Sequence, residues 1–170
     1  DTVYGGDGID SIDGGDGDDV IYGDNGYSAL TGANETFDWS AEGGDATNLG
    51  SGVTQTTGAM DVTVTMASTG NNNPALTVET VETQYVASGE SFDAQSSGLL
   101  FGQGDGDTAS LTFDFAATTG SGMADEVEDV SFRINDVDAL AGNHWDQFTV
   151  TAFDADGDRV AVGVEGGDRE

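Results

Sequence analysis

The chain opens on a tandem nine-residue repeat. It reads Gly5-Gly6-Asp7-Gly8-Ile9-Asp10-Ser11-Ile12-Asp13, then Gly14-Gly15-Asp16-Gly17-Asp18-Asp19-Val20-Ile21-Tyr22. Half a unit precedes it (Asp1-Thr2-Val3-Tyr4) and a decaying one follows (Gly23-Asp24-Asn25-Gly26-Tyr27). Each unit fits G-G-x-G-x-D-x-U-x, where U is a large aliphatic residue. A flexible Gly/Asp linker could share this composition but would not keep its register. A fixed short period instead dictates a coil whose units turn tightly and stack on their neighbours.

The chemistry of the unit follows from its residue types. Glycines such as Gly5 and Gly14 accept the left-handed conformations that tight turns require. Such turns direct main-chain carbonyls at an ion. The aspartates add hard anionic oxygen, which Ca²⁺ prefers, with six to eight ligands at roughly 2.4 Å. The candidate metal ligands are therefore Asp1, Gly5, Asp7, Asp10, Gly14, Asp16, Asp19 and Asp24. Val3, Ile12 and Ile21 recur every nine residues and are expected to stack inside the coil.

This pattern resembles the calcium-binding β-roll of RTX proteins. The resemblance implies a short parallel β-roll over residues 1–28, Ca²⁺ as cofactor and export from the cell. It also implies that one nonapeptide makes half a turn, so equivalent positions on one side lie two repeats apart. On that basis Asp1 and Asp19 flank one calcium row. Asp10 lies on the other row, where its later counterpart is Ser28, a poorer ligand. A solenoid needs about three repeats to bury its own core. The chain opens in mid-repeat, and its end, Gly166-Gly167-Asp168-Arg169-Glu170, is unlike the uncleaved C-terminal export signal of RTX proteins. Both features predict a piece of a longer protein or a processed product.

Charge narrows the partners. Asp and Glu number 33 against three arginines (Arg133, Arg159 and Arg169), with no lysine, for a formal net charge of −30. Self-repulsion at this density opposes compaction unless counter-ions bind. Nucleic acid and anionic membrane surfaces need basic patches and are excluded as partners. No run of about 18 apolar residues exists to insert into a membrane. Cysteine is absent, so calcium and core size must replace disulfides. A hydrophobic content of 36%, arranged in alternating segments, predicts a folded domain rather than a solvating tail.

After Tyr27 the register is lost and Thr and Ser become frequent. Strands are expected at 60–66, 76–81, 83–86, 111–115, 130–134, 148–153 and 159–164, separated by Gly, Asn and Asp clusters. Asp156-Gly157 between the last two predicts a hairpin. The fold class is all-β: the β-roll, then an antiparallel jelly-roll-like β-sandwich over 29–170. Residues 130–138 (VSFRINDVD) and 146–157 (DQFTVTAFDADG) are similar to β-sandwich modules of secreted RTX and Hint-associated proteins of marine bacteria. In those relatives the chain continues past the DADG hairpin into strands that close the sandwich. Either such strands lie beyond this sequence or a neighbouring molecule supplies them.

Candidate sites in this region are sparse. Asn135, Asp136 and Asp138, with Asp146 across a short loop, offer oxygens for a second calcium; the alternative is a solvated acidic turn. The DADGD run at 154–158 lacks the Gly and Glu of an EF-hand loop and reads as a plain turn. Gly104-Asp105-Gly106-Asp107 also reads as an isolated turn. Trp145, beside His144 in an expected loop, is a candidate platform for a sugar ring, whereas Trp39 in FDWSA reads as a core strand. One His, no Cys and no G-x-S-x-G or H-E-x-x-H pattern give no catalytic constellation. The sequence thus predicts a non-catalytic extracellular calcium-binding module for adhesion or for binding polysaccharide or cell-surface glycan. The alternatives are a self-associating structural subunit of a calcium-dependent surface layer, and the accessory region of a secreted hydrolase.

Overall fold

The structure is a computed structural model and describes residues 2–4, 20–22, 34–68, 73–102, 109–125, 127, 130–137, 139–140 and 144–163. The chain divides into two compact units, Asp1–Asn34 and Glu35–Glu170. In the first, strands β1 (Thr2–Tyr4) and β2 (Val20–Tyr22) pair in parallel. Thr2 pairs with Val20, Val3 with Ile21 and Tyr4 with Tyr22, an offset of 18 residues or two nonapeptides. Ile12 lies outside the described residues.

Among the described residues, every strand pairing of the second unit is antiparallel. Its strands are β3 (Val53–Thr56), β4 (Met60–Ser68), β5 (Ala75–Glu79), β6 (Ser97–Phe101) and β7 (Ala109–Ala117). Two-residue pairs follow: β8 (Ala139–Leu140) with β9 (His144–Trp145), and β10 (Ala152–Phe153) with β11 (Arg159–Val160). β4 is the central strand of the sheet β3-β4-β7, and β5 pairs with β6. The all-β class expected from the sequence holds.

The core forms because two strands alternate in phase with their pleat. Met60, Val62 and Val64 of β4 are buried, as are Leu76 and Val78 of β5. On β4 the intervening Thr63 shares a 2.9 Å hydroxyl contact with Thr54 across the β3–β4 ladder. Leu49, Val64, Leu76 and Val78 make one cluster, lined by Phe37, Trp39, Val53, Met66 and Leu111. The core therefore lies between the two sheets. Leu49 reaches it because residues 46–49 run along β5: Leu49 N donates to Leu76 O at 2.8 Å, and Val78 N donates to Thr47 O at 2.9 Å.

Trp39 corrects one sequence expectation. It begins a 3-10 helix, Trp39–Glu42, rather than a strand. Asp38 caps this turn, its Oδ1 accepting from Ser40 N at 2.9 Å and Ser40 Oγ at 2.7 Å, and this local bonding overrides the alternation of FDWSA. The indole still packs on the core, edge-to-face with Phe37 at 4.8 Å and Phe113 at 6.3 Å. It also lies across Gly98 of β6, where a Cβ would stand 2.9 Å from Trp39 Cη2.

Other strands differ in extent. Residues 83–86 and 130–134 form no strand, and those expected at 148–153 and 159–164 contract to β10 and β11. β3 and β6 were not expected. The hairpin at Asp156-Gly157 is present. Phe153 pairs with Arg159, Gly157 takes φ +84°, and Asp154 Oδ1 accepts from Asp156 N (3.1 Å) and Asp158 N (2.8 Å).

The contact at Gly98 makes a stability prediction. Gly98→Ala drives a methyl into the indole and is expected to cost about 1–3 kcal/mol in urea denaturation. Gly44→Ala, where nothing lies within 4 Å, is expected to stay within about 0.5 kcal/mol of the parent. Equal stability of the two variants would show that Trp39 does not seat against β6.

Candidate calcium-binding and ligand-binding sites

The candidate calcium ligands of the repeat (Asp1, Gly5, Asp7, Asp10, Gly14, Asp16, Asp19 and Asp24) lie outside the described residues. The strands that follow Asp1 and Asp19 in sequence are described, and they match position for position. That match is the two-repeat spacing a half-turn per nonapeptide requires. The residue types suit a hard divalent cation: carboxylates and main-chain carbonyls, with no sulfur and no imidazole in residues 1–29.

The second unit handles its acids differently. Glu35 sits at the start of the unit and closes the β3–β4 turn. Its Oε1 accepts from Ala59 N at 2.6 Å, and its Oε2 accepts from Thr57 Oγ1 at 2.8 Å and Met60 N at 3.2 Å. The Ala59 amide and the Thr57 hydroxyl hold this carboxyl below the usual carboxylate range. Gly58 is part of the fit, since a Cβ there would stand 2.6 Å from Glu35 Oε1.

Asp38 ties three segments together. Ser96 Oγ donates to its Oδ1 at 2.5 Å, alongside the two bonds from Ser40. These serine donors lower its pKa. Its main chain is clamped by Gln55 of β3: Asp38 N donates to Gln55 Oε1 at 2.7 Å, and Gln55 Nε2 donates to Asp38 O at 2.8 Å and Glu42 Oε1 at 2.6 Å. Glu79 accepts from Glu82 N (2.9 Å) and Val81 N (2.7 Å), which lowers its pKa. No sequence pattern pointed to Glu35, whose partners lie 22 to 25 residues away. The Asp38-x-Ser40 spacing is a legible turn signal in retrospect.

Asn135, Asp136, Asp138 and Asp146 were the candidates for a second calcium. Asn135 Nδ2 points to the Tyr85 carbonyl at 3.4 Å, and Asp136 takes a left-handed φ of 59°. Asp138 lies outside the described residues, and Asp146 is exposed. Among the described residues no three His, Cys, Asp or Glu side chains group as metal ligands.

Trp145 stands in β9, paired with Ala139 of β8, and not in the loop expected from sequence. Its indole is 84% exposed. The backbone of His144 pairs with Leu140. The arginines nearby in sequence are engaged: Arg133 with Glu90 and the Tyr85 ring, and Arg159 over the Phe153 ring at 6.0 Å. Among the described residues no helix is long and apolar enough to cross a membrane.

A parallel rung spaced by two nonapeptides, followed by an antiparallel unit, defines a calcium-repeat segment preceding an all-β unit. Comparison with known families gives the same answer for the first part: residues 1–29 match the family model for the RTX calcium-binding nonapeptide repeat (4 copies). RTX nonapeptide repeats bind calcium, and Ca²⁺ is the cofactor of this segment. No curated protein and no solved structure matches the chain.

The pKa directions make a pH prediction. A carboxyl whose pKa is depressed by folding stabilises the fold above its unfolded value and loses that contribution as pH falls through its folded one. Glu35 and Asp38 are both depressed, so thermal stability is expected to fall below about pH 4.5. Glu35→Gln is expected to melt lower at neutral pH and to show a shallower acid decline at fixed calcium. An unchanged melting profile in Glu35→Gln would contradict the assignment.

Proposed function

We propose that this calcium-binding RTX-type chain is a non-catalytic, extracellular module that binds polysaccharide or cell-surface glycan through Trp145. The calcium-repeat match supports the extracellular reading, since RTX proteins are typically secreted and meet high calcium only outside the cell. Calcium ordering of the repeat would also offset part of the self-repulsion of a chain with net charge −30.

The observation that carries the ligand reading is the exposure of Trp145. Indoles are among the more buried side chains, and a ring 84% exposed on a short hairpin keeps nearly all of its apolar face in water. Covering that face with the apolar face of a pyranose ring recovers hydrophobic contact without a cavity. Charge selects among glycans. Arg133 and Arg159 are already engaged, and a net charge of −30 repels uronate or sulfate chains. Neutral polysaccharides fit this surface best.

Affinity electrophoresis in gels containing neutral or acidic polysaccharides tests the proposal. In calcium, migration is expected to be retarded by a neutral polysaccharide and not by an acidic one. Trp145→Ala is expected to weaken the interaction about tenfold, roughly 1.4 kcal/mol. EGTA is expected to increase the hydrodynamic radius of the chain. Migration unaffected by every polysaccharide, or retardation of Trp145→Ala equal to the parent, would overturn the glycan reading.

A further inference from the structure

Residues 130–135 carry a pattern that is inverted relative to an ordinary half-buried strand. The residues alternate, Val130-Ser131-Phe132-Arg133-Ile134-Asn135, as a strand does. Yet the apolar members face water: Val130, Phe132 and Ile134 are 54%, 56% and 44% exposed. Of the polar members, Arg133 and Asn135 are half-buried and Ser131 is exposed. Arg133 Nε donates to Glu90 Oε2 at 3.0 Å, and its terminal nitrogen donates to Glu90 Oε1. The guanidinium lies 5.0 Å from the Tyr85 ring centroid, Ala87 N donates to Glu90 Oε2 at 2.7 Å, and Asn135 Nδ2 reaches Tyr85 O. The segment is thus pinned by its polar side with its apolar side outward. Among the described residues, the main chain of 130–137 has no main-chain hydrogen-bond partner.

We infer that residues 130–135 form an acceptor for an added β-strand from a partner protein, and that this strand alternates apolar with basic residues. The period of two fixes the shape of the occupant. A strand places alternate side chains on Val130, Phe132 and Ile134, whereas a helix would meet them out of phase. Its main chain, without a main-chain partner among the described residues, supplies the ladder bonds that an edge offers. Charge fixes the sign of the occupant. Asp125, Glu126, Glu128, Asp129, Asp136 and Asp138 flank the stripe in sequence, and the one cation among them, Arg133, is matched by Glu90. A second copy of this chain would bring another net charge of −30 to the same surface, whereas a basic strand gains from the field. This surface is separate from Trp145 and does not rest on the glycan reading.

The test uses the whole chain in calcium and three short fluorescein-labelled peptides. One alternates valine with lysine, one alternates valine with glutamate, and one groups the same valines and lysines into blocks. Fluorescence anisotropy is expected to show saturable binding of the alternating valine–lysine peptide alone. Phe132→Ser with Ile134→Ser alters two exposed side chains, and is expected to weaken that binding about tenfold while the circular dichroism spectrum is retained. Equal binding of the block peptide, or undiminished binding by the double variant, would reduce the effect to general charge attraction and overturn the inference. A dimer of the unliganded chain by light scattering, abolished in the double variant, would assign the surface to a second copy and overturn it equally.

Discussion

With 33 acidic side chains, three arginines and no lysine, ion pairing cannot neutralise this chain, and its fold is built around that constraint. In the second unit, carboxylates are satisfied by neutral donors. Glu35, Asp38, Glu79 and Asp154 each accept from main-chain amides or hydroxyls at turns. Such charge-assisted bonds are among the stronger hydrogen bonds a protein makes. Each one also ends an element or closes a loop, so the acids that burden the chain also shape it. Arg133 with Glu90 shows the other solution, and it holds a segment that has no ladder partner among the described residues.

The repeat meets the same constraint with a metal. Its carboxylates recur at high density in the sequence, and divalent cations bind such oxygens with far greater charge density than any side chain. β1 and β2 match in parallel at a spacing of two nonapeptides. The two units therefore use aspartate in opposite ways. In one it recurs within a calcium-binding repeat pattern; in the other Asp38 and Asp154 act as solitary turn acceptors.

Much of this was legible in the sequence where side-chain chemistry and local geometry agree. The resemblance to RTX repeats implied a parallel roll with equivalent positions two repeats apart, as Val3 and Ile21 are paired, and the Asp-Gly dipeptide foretold the β10–β11 turn. β4 and β5 were legible because Val62, Val64, Leu76 and Val78 alternate with polar residues. β3 was not, since Val53-Thr54-Gln55-Thr56 carries a single apolar side chain. β6 was hidden by Gly98, and the need for that glycine arises from Trp39, 59 positions away. Residues 130–134 had a clear period, but a period does not say which side is covered. Long-range partners decided that: Glu90 and Tyr85 drew the polar side inward.

The most direct test of the account is cysteine cross-linking in this cysteine-free chain. Val3→Cys paired with Ile21→Cys places thiols two nonapeptides apart, at partnered positions of the rung; Val3→Cys paired with Ile12→Cys places them one nonapeptide apart. Under mild oxidation, the account predicts rapid cross-linking of the first pair in calcium, slow cross-linking in EGTA, and slow cross-linking of the second pair in both. Equal rates for the two pairs, or rates indifferent to calcium, would contradict the claim that calcium orders the repeat in a two-nonapeptide register.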